Sequence, residues 1–137
     1  MRSHVLLLAF VAACGDGKTA KHFCQNARIT FREMAGGDLD TARRGLRDVG
    51  TCADVNMASA KLSRMVTTFK AASVPFRERS EVAATLDALE KLTLDELNQI
   101  RCSDLERPTA DEAATLRTRI DAVDKKLAEI AAACPEH

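Results

Sequence analysis

The 137-residue sequence has no tryptophan, no tyrosine, only three histidines and no excess of charge, with 20 Lys and Arg standing against 20 Asp and Glu. Each shortage excludes something. Stacking platforms for bases or sugars would rest on five phenylalanines alone. The surplus of cations that supplies non-specific affinity for phosphates is missing, so no nucleic-acid partner is expected. Nucleophilic catalysis of the Ser–His–acid or Cys–His kind needs an oriented imidazole. His22 is the one histidine inside the predicted fold, and beside Phe23 and Cys24 it reads as a helix-surface residue. No Gly-rich phosphate loop follows a strand, since Gly15-Asp16-Gly17-Lys18 has no strand before it. No apolar run approaches the ~20 residues that cross a bilayer. An enzyme is therefore not expected, and no catalytic residue, metal site or cofactor is assigned.

Two features are abundant. Alanine contributes 23 residues, which suits helices that approach closely around a thin core. The N-terminus carries the other. Arg2 precedes an uninterrupted apolar run, Val5–Ala13, which ends at Cys14. Its length fits the 7–15-residue apolar region of a secretory signal. Val11-Ala12-Ala13-Cys14 resembles the lipobox of bacterial lipoproteins: an aliphatic residue, two small residues and a cysteine. The resemblance covers these fourteen residues and no more. It implies that the Cys14 thiol receives a diacylglycerol and that residues 1–13 are removed. Residues 14–17 would then be a lipid-anchored tether, with a single helical domain over 18–137. The mature chain would have 124 residues, 19 of them basic and 20 acidic. Gly15, not Asp, follows the cysteine, which by the same resemblance favours the outer over the inner membrane. The partners so implied are the membrane, through Cys14, and an envelope protein of unknown identity.

Four cysteines remain: Cys24, Cys52, Cys102 and Cys134. An even number in an exported chain suggests two disulfides. Their spacings contain no C-x-x-C pair, which argues against a zinc knuckle or a redox-active dithiol.

Behind Cys14 the apolar residues recur at spacings of three and four, so an all-α, disulfide-stapled bundle of about five helices is expected. Ala20, Cys24, Ala27, Phe31 and Met34 define a first helix over 18–35, ended by Gly36-Gly37 as a left-handed cap. A second helix carries Leu39, Ala42, Leu46 and Val49. A break is expected near Gly50, where Thr51-x-x-Asp54 makes an N-terminal capping signal and the apolar stripe changes face. The new stripe is Cys52, Val55, Ser59, Leu62, Val66 and Phe69. Ser73-Val74-Pro75 opens another helix with Val82, Leu86 and Leu89 inward. Thr93-x-x-Glu96 opens a short helix reaching Leu105, and Thr109-x-x-Glu112 opens the last. The last has the most regular stripe: Ala113, Leu116, Ile120, Val123, Leu127, Ile130 and Cys134.

An antiparallel hairpin at Gly36-Gly37 would bring Cys24 and Cys52 within ~3 Å in height, making them the first choice of pair. Cys102 and Cys134 would then lie ~30 Å apart across a hairpin at Pro108. Either that turn is not a hairpin, or the pairs are Cys52–Cys102 and Cys24–Cys134.

Other residues have modest readings. The pairs Asp95/Glu96 and Asp111/Glu112 sit in first turns, where acids favour the helix dipole. Met34, Met57 and Met65 read as core filling, not haem ligation. Arg43, Arg44 and Arg47 read as a solvated face paired with Asp40 and Asp48. The function expected is a periplasmic, lipid-tethered module acting by binding or structural support. The alternative is a carrier of a small ligand or metal inside the bundle.

Overall fold

The computed structural model describes residues 17–47, 50–103 and 106–134. The described residues are all-α, and no strand occurs among them. Helix α1 (Gly17–Glu33) passes through a π-helical segment, Met34–Asp38, and continues as α2 (Leu39–Gly45). Helix α3 (Cys52–Ala72) runs back along this interrupted rod. Two 3₁₀ turns, Val74–Phe76 and Ser80–Val82, lead into α4 (Ala83–Lys91) and α5 (Leu94–Asn98). Helix α6 (Ala110–Ala133) packs along α1 and α4. With α1 and α2 counted as one rod, five helices surround the core.

The first helix does not end at Gly36-Gly37, contrary to the sequence expectation. Met34 and Leu39 are both fully buried and five residues apart. Five residues on an ideal α-helix point ~140° apart. The local widening closes a Leu39 N–H to Met34 carbonyl bond, which stacks the two on one side. The glycines thus occupy an exposed stretch of continuous helix, and a Cβ on either would meet no atom within 4 Å. Glycine inside a helix costs roughly 0.5–1 kcal/mol relative to alanine. Gly36→Ala and Gly37→Ala are therefore each expected to stabilise by about that amount, seen as higher thermal midpoints. A lower midpoint would mean that the chain turns there after all.

The chain reverses instead between Gly45 and Cys52, so the break expected near Gly50 is present. Thr51 caps α3 by accepting the Asp54 N–H at 3.3 Å. Of the second-helix stripe, Leu39, Ala42 and Leu46 are buried; Val49 lies outside the described residues.

Two further boundaries differ from expectation. Only a single 3₁₀ turn starts after Ser73, with Pro75 in it as expected; the α-helix, α4, begins at Ala83. Phe76 and Val82 are both buried, yet six residues on a helix lie ~240° apart. Two 3₁₀ turns separated by an extended Arg79 bring both inward. Helix α5 stops at Asn98 and does not reach Leu105. Beyond it the chain descends into the core through Ile100 and Cys102, both buried. The Asn56 side chain takes over there. Its oxygen accepts the Cys102 N–H at 2.8 Å, and its amide donates to the Cys102 carbonyl at 3.3 Å. These bonds replace the helical ones that the backbone gives up.

The main core gathers Phe31, Leu39, Leu62, Leu97, Ile120 and Leu127, among others. A smaller cluster of Ala20, Phe23, Cys24, Phe76, Val82 and Cys134 closes one end of the bundle. Phe69 links the two, with ring centroids 5.2 Å from Phe31 and 5.9 Å from Phe23. Among the described residues, the buried polar side chains Ser59, Ser73 and Thr85 each have a partner. Ser59 donates to the Leu97 carbonyl at 2.7 Å, Ser73 to the Lys70 carbonyl at 2.7 Å, and Thr85 lies 3.5 Å from the Cys24 sulfur.

Candidate functional site

The cysteines pair as Cys24–Cys134 and Cys52–Cys102, with Cα atoms 5.5 Å and 5.2 Å apart. The first-choice pair, Cys24–Cys52, is not formed. That choice depended on a hairpin at Gly36-Gly37. With the chain helical through those glycines, Cys24 and Cys52 lie at opposite ends of the bundle. Each disulfide then staples one end. Cys24–Cys134 joins the start of α1 to the end of α6 within the small phenylalanine cluster. Cys52–Cys102 joins the start of α3 to the segment after α5. Cys14 lies outside the described residues.

Glu112 is a neighbour that the sequence did not flag. One of its carboxylate oxygens and the two sulfurs of Cys52 and Cys102 lie within 4.8 Å of one another. Thiolates would be needed to hold a soft metal there, and the two sulfurs are bonded to each other. The carboxylate has a structural task instead. It accepts the Ser103 N–H at 2.8 Å and the Ser103 hydroxyl at 3.3 Å. The third capping signal is therefore only half a capping box. Thr109 accepts the Glu112 N–H at 3.1 Å, while the Glu112 side chain reaches the preceding loop.

Ionic contacts join helices distant in sequence. Arg43 on α2 donates to Asp121 at 2.9 Å and Asp124 at 3.1 Å on α6. The hydrogen bond with Asp121, helped by Asp124 and opposed by burial, raises the Arg43 pKa above its ordinary value. Arg44 pairs with Asp40 at 3.5 Å, as read from the sequence, whereas Arg43 does not belong to that solvated face. Lys126 on α6 grips the Glu96 carboxylate at 2.6 and 2.7 Å and the Lys91 carbonyl at 2.9 Å. Burial pushes the Glu96 carboxyl up, but the bonds from Lys126 and from the Thr93 backbone and hydroxyl outweigh it. The net shift is downward. Glu96 thus completes the Thr93 capping box and ties α5 to α6 at once.

Met57 is the exception among the remaining candidates: read as core filling, it lies on the outer face of α3. His22 is exposed on α1. Met34 is buried, Met65 partly buried, and Met57 is 65% exposed, so the three do not share an interior site. The four described phenylalanines are packed against one another or the core. Clefts indent the surface formed by the described residues. One of about 380 Å³, between α3 and α4, is lined by Lys70, Ser73, Arg77, Leu86, Asp87, Leu89 and Glu90. One of about 390 Å³, between α3 and α5, is lined by Ser63, Arg64, Thr67, Thr68, Leu94 and Asn98. The exposed large apolar residues Ile29, Met57, Val74 and Leu94 lie on four separate elements. No helix among the described residues is long and apolar enough to cross a membrane.

No family model matches the sequence, and no curated protein or solved structure does so either.

Proposed function

We propose that the chain is a lipid-anchored helical module of the bacterial cell envelope. It would face the periplasm and act by binding or structural support, without catalysis. The observation that carries this reading is the disposition of the cysteines. Four of the five pair into buried disulfides, and the fifth is Cys14 of the lipobox. Structural disulfides belong to oxidising compartments, and a cysteine left over from such a set calls for another chemistry. Acylation of Cys14 supplies it. Two or more acyl chains on one residue hold a protein stably at a bilayer, where a single chain holds it only marginally. The outer membrane is the favoured site, through Gly15. Rigidity is what the fold offers a partner, since both ends of the bundle are stapled and α6 is tied by ion pairs to α2 and α5.

Intact mass spectrometry of the protein from a bacterial membrane fraction tests the reading. The expected mass is that of residues 14–137 plus acyl chains, with four thiols alkylated only after reduction. An unprocessed chain, or one whose thiols react before reduction, would overturn it.

A further inference from the structure

We propose that the cleft between the end of α3 and α4 binds a free α-amino acid with an aliphatic side chain, taken as a zwitterion. The cleft sorts its charges by wall. Lys70, near the end of α3, and Arg77, just past the following 3₁₀ turn, supply the cations. Asp87 and Glu90, both on α4, supply the anions. Three residues apart on one helix, these two acids share a face. Elsewhere among the described residues opposite charges close into contact: Arg43 with Asp121 at 2.9 Å, Lys126 with Glu96 at 2.6 Å, Lys61 with Asp38 at 3.3 Å. In the cleft they do not. None of its four charged side chains makes an ion pair or a hydrogen bond among the described residues.

The fold keeps the two walls from collapsing onto each other. The Ser73 hydroxyl donates to the Lys70 carbonyl at 2.7 Å, and the Phe76 N–H donates to the Ser73 carbonyl at 2.9 Å. Phe76 is buried against Phe23, which fixes the backbone of Arg77 next to it. On the other wall Leu89, between the two acids in sequence, is buried in the main core and fixes α4. Each wall thus carries charge of one sign that the other does not neutralise. An α-amino acid brings what both lack. Its carboxylate accepts from the Lys70 ammonium and the Arg77 guanidinium, and its ammonium donates to the carboxylates of Asp87 and Glu90. Half-buried Leu86, also in the lining, offers its side chain an apolar contact. A volume of about 380 Å³ lies at the small end of ligand sites, which suits a single amino acid.

Binding here goes beyond the anchored reading and does not depend on it. Amide NMR spectra of the intact, oxidised protein are followed as L-leucine is added. A ligand of this size held by exposed charges should bind at about 1 mM. Saturable shifts are expected in residues 70–77 and 86–90. 4-Methylpentanoate lacks the ammonium and 3-methylbutylamine lacks the carboxylate. Each forgoes two charge contacts of about threefold apiece and should bind about tenfold more weakly. The same loss for L-leucine is expected in the paired variants Lys70→Gln with Arg77→Gln and Asp87→Asn with Glu90→Gln, their helical circular dichroism verified. An absence of saturable shifts, shifts centred on the main core, or equal binding of an analogue that lacks one charge would overturn the site. So would unchanged binding by either paired variant. Each of these results leaves the anchor standing, because acylation of Cys14 is read separately, by mass.

Discussion

Replacing Cys24 and Cys134 together by alanine is expected to cost about 4 kcal/mol, and reducing both disulfides about 8 kcal/mol. The estimate follows from how the two bonds are arranged. Their sequence separations are 110 and 50 residues, and the shorter loop lies inside the longer. Alone, the outer bond closes a loop worth about 4.8 kcal/mol of unfolded-chain entropy and the inner one about 4.1. Once the inner bond is closed it short-circuits the outer loop. The effective length is then the difference of the two separations, about 60 residues, worth about 4.3 kcal/mol. Removing Cys52–Cys102 while the outer bond persists should cost slightly less, about 3.6 kcal/mol. A natural domain has only about 5–15 kcal/mol to lose. The fully reduced protein should therefore unfold at far lower urea, with either single removal in between. Urea unfolding followed by far-UV circular dichroism, with and without a dithiol reductant, measures all four states. Unchanged midpoints after reduction would show that packing alone holds the bundle.

That dependence on staples also explains why the connectivity was harder to read than the helices. Capping and periodicity are local, and they were legible. Thr51, Thr93 and Thr109 each cap the helix their patterns announced. Every residue of the α6 stripe from Ala113 to Cys134 is buried. Disulfide pairing is a long-range property, and here it turned on one local judgement about Gly36-Gly37. Two adjacent glycines favour a turn, but burial of Met34 and Leu39 on one side holds the chain in a widened helix. The same kind of override moved the start of α4 to Ala83, because Phe76 and Val82 both had to face inward. It also ended α5 at Asn98, where Asn56 captures the Cys102 backbone. Glu112 was legible as a capping residue but not as the partner of Ser103. The loop that carries Ser103 has no periodicity to place it.

Gly50→Ala should destabilise the protein by about 3 kcal/mol or more, at the upper end of what overpacking costs. The reason is proximity and not backbone angle. A Cβ on Gly50 would collide with the carbonyl oxygen of Arg44 and with the carbonyl carbon and oxygen of Gly45. These are backbone atoms at the end of α2, so no side chain can rotate away to make room. Gly45 shows the same crossing from the other side. Its Cβ would lie 2.7 Å from a Val55 methyl, 2.9 Å from the Thr51 carbonyl oxygen and 3.1 Å from the Asp54 Cβ. The two glycines let α2 meet the start of α3 almost backbone to backbone. Relief would require the turn to open, pulling Cys52 away from Glu106, whose carbonyl accepts the Cys52 N–H at 2.9 Å. It would also strain the staple to Cys102 and lift Leu46 from the core. Arg117 donates to the Leu46 carbonyl at 3.1 Å, so α6 would lose a contact as well. Gly45→Ala should cost less, because part of its obstruction is a side-chain methyl. Gly36→Ala is the internal control: the same substitution in open space should move the urea midpoint the other way. If Gly50→Ala unfolded at the same urea concentration as the natural sequence, the close crossing of α2 and α3 would be wrong. The break between them would then be a flexible joint instead of a packed corner.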